Sequence, residues 1–368
     1  MLQDEPVGKP ERRHRSNNLD LMRLALAALV LLGHSPELLD GDRSREPLTW
    51  LFHTISFGEL AVDAFFILSG FVITMSWDRQ PKVGRFLLNR TLRIYPAFIV
   101  AFLLSVLVAG ALGAASVRSY LSAVSPGRML KQIAFLQRPT SPPTFAGGHH
   151  NDVNGAMWTI QYEFACYLAV VALGVCGVLR KRGAVMGLWV GCLLVFIAFR
   201  IHHAGDATTG AIMSRTGSVI RFAMLYLSGI VAYVFRIHER RSMAALLAAA
   251  ALLVLGLTNS VAAEPAIATA GAYLLFFVGF TPLEHAYIRA IPDVSYGLYL
   301  YGWPVQKVLI SRGKLSSPVS LFVVSLIVAL ILGYFSYVLI EKPALKLKAR
   351  SRASTTPRPA GLAAPGAD

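Results

Sequence analysis

The feature that most constrains this chain is a succession of apolar runs, each of a length that suits a lipid bilayer. Ten can be read, at about 19–36, 60–76, 94–113, 157–179, 184–200, 218–235, 243–258, 264–281, 294–311 and 317–340. A hydrocarbon core takes roughly 20 residues of helix to cross. Inside it, every backbone N–H and C=O must be bonded within the segment, which favours helices. Composition agrees: 55% of residues are apolar and 15% charged, against about 25% charged in ordinary soluble domains. The expected fold is all-α, a polytopic integral membrane protein with about ten transmembrane helices. A soluble enzyme, a disordered chain, a collagen and a coiled coil are excluded.

The basic opening followed by an apolar stretch from Leu24 resembles a signal peptide. No small-residue cleavage site follows, and Asp20 and Arg23 interrupt the stretch, so an uncleaved first span is expected. Residues 1–18 read as a polar tail, 19–348 as the membrane domain, and 349–368 as a Ser/Pro/Gly/Ala-rich tail expected to be disordered. The net charge is +15. The basic residues lie between the apolar runs and not in one patch, which points to orientation in the bilayer and away from nucleic acid. With ten spans, 22 Lys and Arg fall on the side that holds both tails and 10 on the other. Both termini are therefore expected in the cytoplasm. Cys166, Cys176 and Cys192 all lie in apolar runs, with no spacing that suggests a disulfide framework or a metal site.

Ionisable groups inside spans are costly and mark function by default. Arg23 and His34 on the first span are eleven residues apart, three turns plus about 20°, so they share one face about 16 Å apart along the axis. Asp63 lies early on the second span and Glu163 early on the fourth. His34, Asp63 and Glu163 are thus expected to meet in the outer half of one bundle, where a carboxylate beside an imidazole makes an acid/base pair. Blander roles fit the same residues: a snorkelling Arg23, a core or helix-end His34, an Asp63 that caps its helix, and a structural Glu163.

After the second span, Lys82, Arg85, Asn89 and Arg93 form one helical stripe, which suits a short helix in the interface. Arg90 and Arg93 are near neighbours. Tyr95-Pro96 biases the chain away from helix and is expected to open the third span at Pro96. Forked guanidiniums at a membrane rim can grip phosphates; a loop touching anionic lipid has the same composition.

Several segments together resemble a known family. They are NNLDLMRLALAALVLLGHS (17–35), ELAVDAFFILSGFVIT (59–74), RFLLNRTLRIYPAF (85–98), NGAMWTIQYEFACYL (154–168), VSYGLYLYGWPVQ (294–306) and IEKPAL (340–345). In this order and spacing they resemble the type-3 membrane acyltransferases, over about residues 17–348. Where many members carry Trp-His-Trp-Pro, this chain has Tyr301-Gly302-Trp303-Pro304. The resemblance implies transfer of an acyl group, by family habit acetyl, from cytoplasmic acyl-CoA to a hydroxyl of a glycan outside, such as O-antigen or exopolysaccharide. It implies a bacterial inner-membrane location.

His34 would act as general base or carry a transient acyl group. Glu163 or Asp63 would orient its ring, and Arg23 would steady the donor. Arg90, Arg93 and Arg85 would hold the CoA phosphates. Trp158, Tyr162, Tyr296 and Tyr299 are candidate substrate contacts, and no metal is expected. No oxyanion donor can be named from the sequence. The outer loop 114–156, with His149, His150, Asn151 and Asp152, is a candidate glycan contact. A transporter or permease, and a scaffold without chemistry, are the competing classes.

Overall fold

The computed structural model describes residues 18–353, apart from 141, 143, 146–147, 204–213, 282–291 and 314. Residues 1–17 and 354–368, which carry most of the two expected tails, lie outside the described residues. Ten main helices are formed: α1 (Leu19–Asp40), α2 (Phe57–Arg79), α3 (Val83–Val108), α4 (Ile160–Val175), α5 (Arg182–His202), α6 (Arg215–Val234), α7 (Met243–Leu257), α8 (Ala263–Gly279), α9 (Ser295–Ser311) and α10 (Pro318–Ser336). Each overlaps one of the ten apolar runs, and no strand occurs among the described residues. The protein is an all-α polytopic membrane protein. α1 to α6 and α10, with α4 taken together with the helical turn Gly155–Thr159 before it, α3 extended to Gly113 and α10 to Leu347, are long and apolar enough to cross a membrane. α7, α8 and α9 are shorter, so the figure of about ten spans rests on the sequence pattern.

The bundle is organised around α2. Ser56 caps it through a reciprocal box with Glu59: the Ser56 hydroxyl accepts from Glu59 N, and the Glu59 carboxylate accepts from Ser56 N, which satisfies two orphan donors of the first turn. On one flank α1 comes so close that a Cβ on Gly33 would stand 2.6 Å from Gly58 N. On the other flank α6 crosses at Gly70 and Gly229, where an added Cβ on either would stand 2.0 Å from a carbonyl oxygen of the partner helix. Small residues let backbones meet in this way where lipid gives no hydrophobic drive between helices. Phe66 and Phe222 stack across the same seam with centroids 4.0 Å apart. On the far side of α1, Gln306 of α9 is fully buried and donates to Leu31 O at 3.0 Å and Ser35 Oγ at 2.8 Å.

The start of the third span differs from expectation. α3 begins at Val83 and runs through Pro96 without interruption, so the basic stretch forms the first turns of one long helix and not a separate interfacial helix. Proline removes its own backbone donor and crowds the carbonyl four residues before it, and tertiary contacts hold those turns. Arg93 is ion-paired to Asp293 and Glu341, and Tyr296 OH donates to Ile94 O at 3.1 Å. Beyond α3 the chain folds back along the same helix. Tyr120 OH donates to Val106 O, Tyr95 OH donates to Ala134 O, and Phe145 N donates to Gly113 O. The fully buried Asn154 donates to Ser105 Oγ and Leu300 O and so ties the end of this segment to α3 and α9.

Candidate active site

α1 carries the two halves of the site on one face, as the eleven-residue spacing requires. In its C-terminal half, His34 lines a cavity with Gly33, Glu37, Arg43, Ser56, Gly58, Glu59, Val62, Trp158, Arg221 and Phe222. The walls come from α1, α2 and α6, the turn Gly155–Thr159 that precedes α4, and the loop after α1. The His34 ring meets the Trp303 ring edge-on at 4.9 Å and makes no side-chain hydrogen bond among the described residues. Its nearest acidic companion in sequence is Glu37, one turn further along α1 and in the same cavity.

Arg43 fills one wall of the cavity. It binds Glu37 Oε2 at 3.1 Å and Glu59 Oε1 at 3.0 Å. Burial by itself would weaken this cation, but Glu59 and Glu37 together raise its pKa above the ordinary arginine value. Arg43 is therefore a fixed charge that holds two carboxylates at the rim of the cavity. Trp158 lies edge-on to Tyr162 at 5.8 Å and tilted against Phe222 at 5.6 Å, and these neighbours fix the one tryptophan in the cavity lining.

Asp63 is fully buried and paired with Arg221 of α6 at 2.8 Å, itself only 4% exposed. It sits in the second turn of α2, past the cap made by Ser56, so it does not cap the helix. The Glu163 carboxylate accepts from Tyr167 OH one turn on. The structure thus gives Asp63 to Arg221 and Glu163 to Tyr167. Neither carboxylate is hydrogen-bonded to the His34 ring.

The opposite end of the bundle holds a second polar cluster. Arg23 reaches Asp20 at 3.3 Å and Asp293 at 4.0 Å. Arg93 bridges Asp293 and Glu341, the latter 1% exposed, with Glu341 at 3.2 Å. Burial would raise the Asp293 carboxyl, but Arg93 and then Arg23 outweigh it, and the carboxyl is held below its ordinary range. Arg90 lies over the Phe86 and Tyr167 rings at 5.8 and 6.0 Å, with one long bond to Ser76 Oγ at 3.4 Å. Its Nε and the Nη2 of Arg85 are buried without a hydrogen-bond partner. Arg93 has spent its fork on protein carboxylates, whereas Arg90 and Arg85 hold donors in reserve.

The other expected contacts are structural in this state. Tyr299 OH donates to Ala156 O and shares a hydrogen bond with Thr159 Oγ1, and Tyr296 holds α3. From the folded-back segment, His150 reaches Trp303 at 5.9 Å and places Nε2 3.2 Å from Glu37 O. Trp303 Nε1 donates to Asp152 O. The sequence singles out His150 and Asp152 as loop residues that could contact a glycan, not as neighbours of Trp303 and Glu37. Glu37, Arg43, Glu59 and Arg221 were not identified from the sequence as cavity residues. The i to i+3 spacing of His34 and Glu37 was the available signal for the first of these.

The apolar bundle thus holds a histidine-bearing polar cavity toward one end and an arginine cluster toward the other. Comparison with known proteins names the class. Residues 16–338 match the acyltransferase domain family of type 3, and the chain belongs to that family. It is 27% identical over 365 residues to nodulation protein 10 of Rhizobium leguminosarum bv. viciae, covering 92% of this chain and 96% of that protein. It is 26% identical over 341 residues to an O-acetyl transferase of Shigella phage Sf6, covering 89% and 96%. Over 120 residues it is 31% identical to the acyltransferase MdmB of Streptomyces mycarofaciens, covering 33% of this chain and 29% of that protein. No solved structure matches.

Proposed function

We propose that this acyltransferase moves an acetyl group from acetyl-CoA on the cytoplasmic side to a hydroxyl of a glycan on the other side of the bacterial inner membrane. The observation that carries the reading is the placement of two unlike polar sites on one face of α1. The inner one is rich in arginine and the outer one holds a histidine among carboxylates and a tryptophan. The first suits a polyanionic donor, since guanidiniums bind phosphates through charge-assisted forked bonds. The second suits a sugar, whose hydroxyls need acceptors and whose ring faces pack on aromatics. The excess of Lys and Arg on the side of both tails supports cytoplasmic termini. The phage relative's name, O-acetyl transferase, supports acetyl as the group moved.

In this reading Arg90 and Arg85 contact the CoA phosphates, because they hold uncommitted donors. Arg93 and Arg23 shape the donor site through Asp293. The pantetheine arm runs along α1 and presents the thioester to His34. His34 removes the proton of the acceptor hydroxyl, and Glu37, in the same cavity and one turn away, favours the imidazolium so formed. Trp158 packs against the acceptor sugar. Glu163, with Tyr167, lines the path between the two sites and keeps its charge away from the outer end.

The test uses purified protein in lipid, labelled acetyl-CoA and a surface-glycan fraction of the host. Wild type is expected to label the glycan, and His34→Ala to label none while still binding acetyl-CoA. Near-full transfer by folded His34→Ala would refute the base assignment.

A further inference from the structure

Among the side chains around the cavity, Arg221 is used by nothing described so far. It is 4% exposed, lies at the outer end of α6, and lines the same cavity as His34. Among the described residues its guanidinium makes one hydrogen bond, from Nη2 to Asp63 Oδ2 at 2.8 Å, and its buried Nε has no partner. Arg43, the other cation of the cavity, is different. Its fork is taken by Glu37 and Glu59, with Ser56 Oγ a further neighbour.

A buried cation with unspent donors is expensive to keep. The fold nonetheless builds it with care. Asp63 is fully buried and its second oxygen, Oδ1, has no partner. Glu264 of α8 is also buried, with Oε2 unpartnered. The Gly70–Gly229 crossing fixes α2 against α6 about two turns from the pair. A pair kept only to balance charge would spend its donors on these acceptors. Here a guanidinium held by one carboxylate keeps an unpaired N–H and lines a cavity that also holds a histidine.

We infer that Arg221 is a catalytic residue that binds the oxyanion formed on the acyl carbonyl, with Asp63 as its positioning residue. The inference rests on the transfer reaction proposed above. In that reaction His34 takes the acceptor's proton as the hydroxyl oxygen bonds to the acyl carbon, and the carbonyl electron pair moves onto its oxygen. Arg221 donates N–H bonds to that oxygen. Collapse restores the C=O bond and breaks the C–S bond, and the leaving thiolate takes the proton from the imidazolium. The products are the O-acyl sugar and the free thiol. A donor fixed in a dry site, aimed at charge that develops only in the transition state, acts on kcat and not on substrate binding.

The experiment compares Arg221→Gln and the double variant Asp63→Asn/Arg221→Gln with wild type and His34→Ala, in lipid, with labelled acetyl-CoA and the host's glycan fraction. Arg221→Gln is expected to lower kcat about 10²–10³-fold with the KM for acetyl-CoA changed by no more than about threefold. It also strands the Asp63 carboxylate and lowers thermal stability. The double variant removes both charges and is expected to regain stability without regaining kcat. Recovery of kcat to within about tenfold of wild type in the double variant would overturn the inference and leave the pair a structural charge balance, as would a wild-type kcat in Arg221→Gln. Loss in the Arg221 variants beside full activity in His34→Ala would refute the base assignment and leave the oxyanion role standing.

Discussion

Gly70→Ala tests whether the α2–α6 crossing sets the geometry of the site. A Cβ at Gly70 would stand 2.0 Å from Tyr226 O and 3.2 Å from Gly229 Cα. Carbon and oxygen settle at about 3.3 Å or more, so the helices must part by about 1 Å. Both obstacles are backbone, and no rotamer change relieves them. Overpacking of this kind costs about 1–3 kcal/mol, and a backbone clash belongs at the upper end. The shift has a second consequence. Asp63 lies two turns before Gly70 on the same face of α2, and its bond to Arg221 of α6 is 2.8 Å. Lengthened by about 1 Å, that contact is no longer a hydrogen bond, and misplacement of this size costs about 10²-fold in rate. The assay is thermal unfolding in detergent beside labelled acetyl transfer in lipid. Gly84→Ala is the control, because nothing lies within 4 Å of an added Cβ there. Wild-type stability and rate in Gly70→Ala would refute the reasoning.

Other outcomes follow from the inner cluster and the rim. Arg93→Ala leaves Glu341, 1% exposed, without its cation and should destabilise by about 3–5 kcal/mol; Arg93→Ala/Glu341→Gln should recover most of that in thermal unfolding. Asp293 is held below its ordinary range by Arg93 and Arg23, so its contribution is present above the unfolded carboxylate value of about 3.9 and is lost as pH falls through the lower folded value. Asp293→Asn should therefore flatten the acid limb of a stability–pH profile. Arg90→Ala should raise the acetyl-CoA KM about tenfold or more, the worth of a charged hydrogen bond, with little change in kcat. Glu37→Gln should lower kcat with little change in the acetyl-CoA KM, as expected when a carboxylate that favours the imidazolium formed in the transfer step is removed; an unchanged kcat would remove Glu37 from the base's environment.

The ten helices were legible because an apolar run of bilayer length declares itself without reference to the rest of the chain. The shared face of Arg23 and His34 was legible for the same reason, since helical spacing alone sets it. The start of α3 was not. Pro96 and the charged residues before it argue locally for a break, and it is Asp293, Glu341 and Tyr296, some two hundred residues away, that hold those turns in one helix. Arg221 escaped for a similar reason. A lone charge in a span announces cost but not partner, and its pairing with Asp63 across 158 positions depends on two glycines at a crossing. Glu37 was hidden because it lies just past the apolar run, beside Pro36, where α1 continues to Asp40.

The central claim is that one chain joins a donor on one side of the membrane to an acceptor on the other. Its most direct test is vesicles holding the protein in one orientation, with labelled acetyl-CoA confined to the face of the arginine cluster and the glycan fraction confined to the opposite face. The account predicts label on the glycan with wild type and none with His34→Ala. Labelling that occurs only when donor and glycan share one compartment would contradict it.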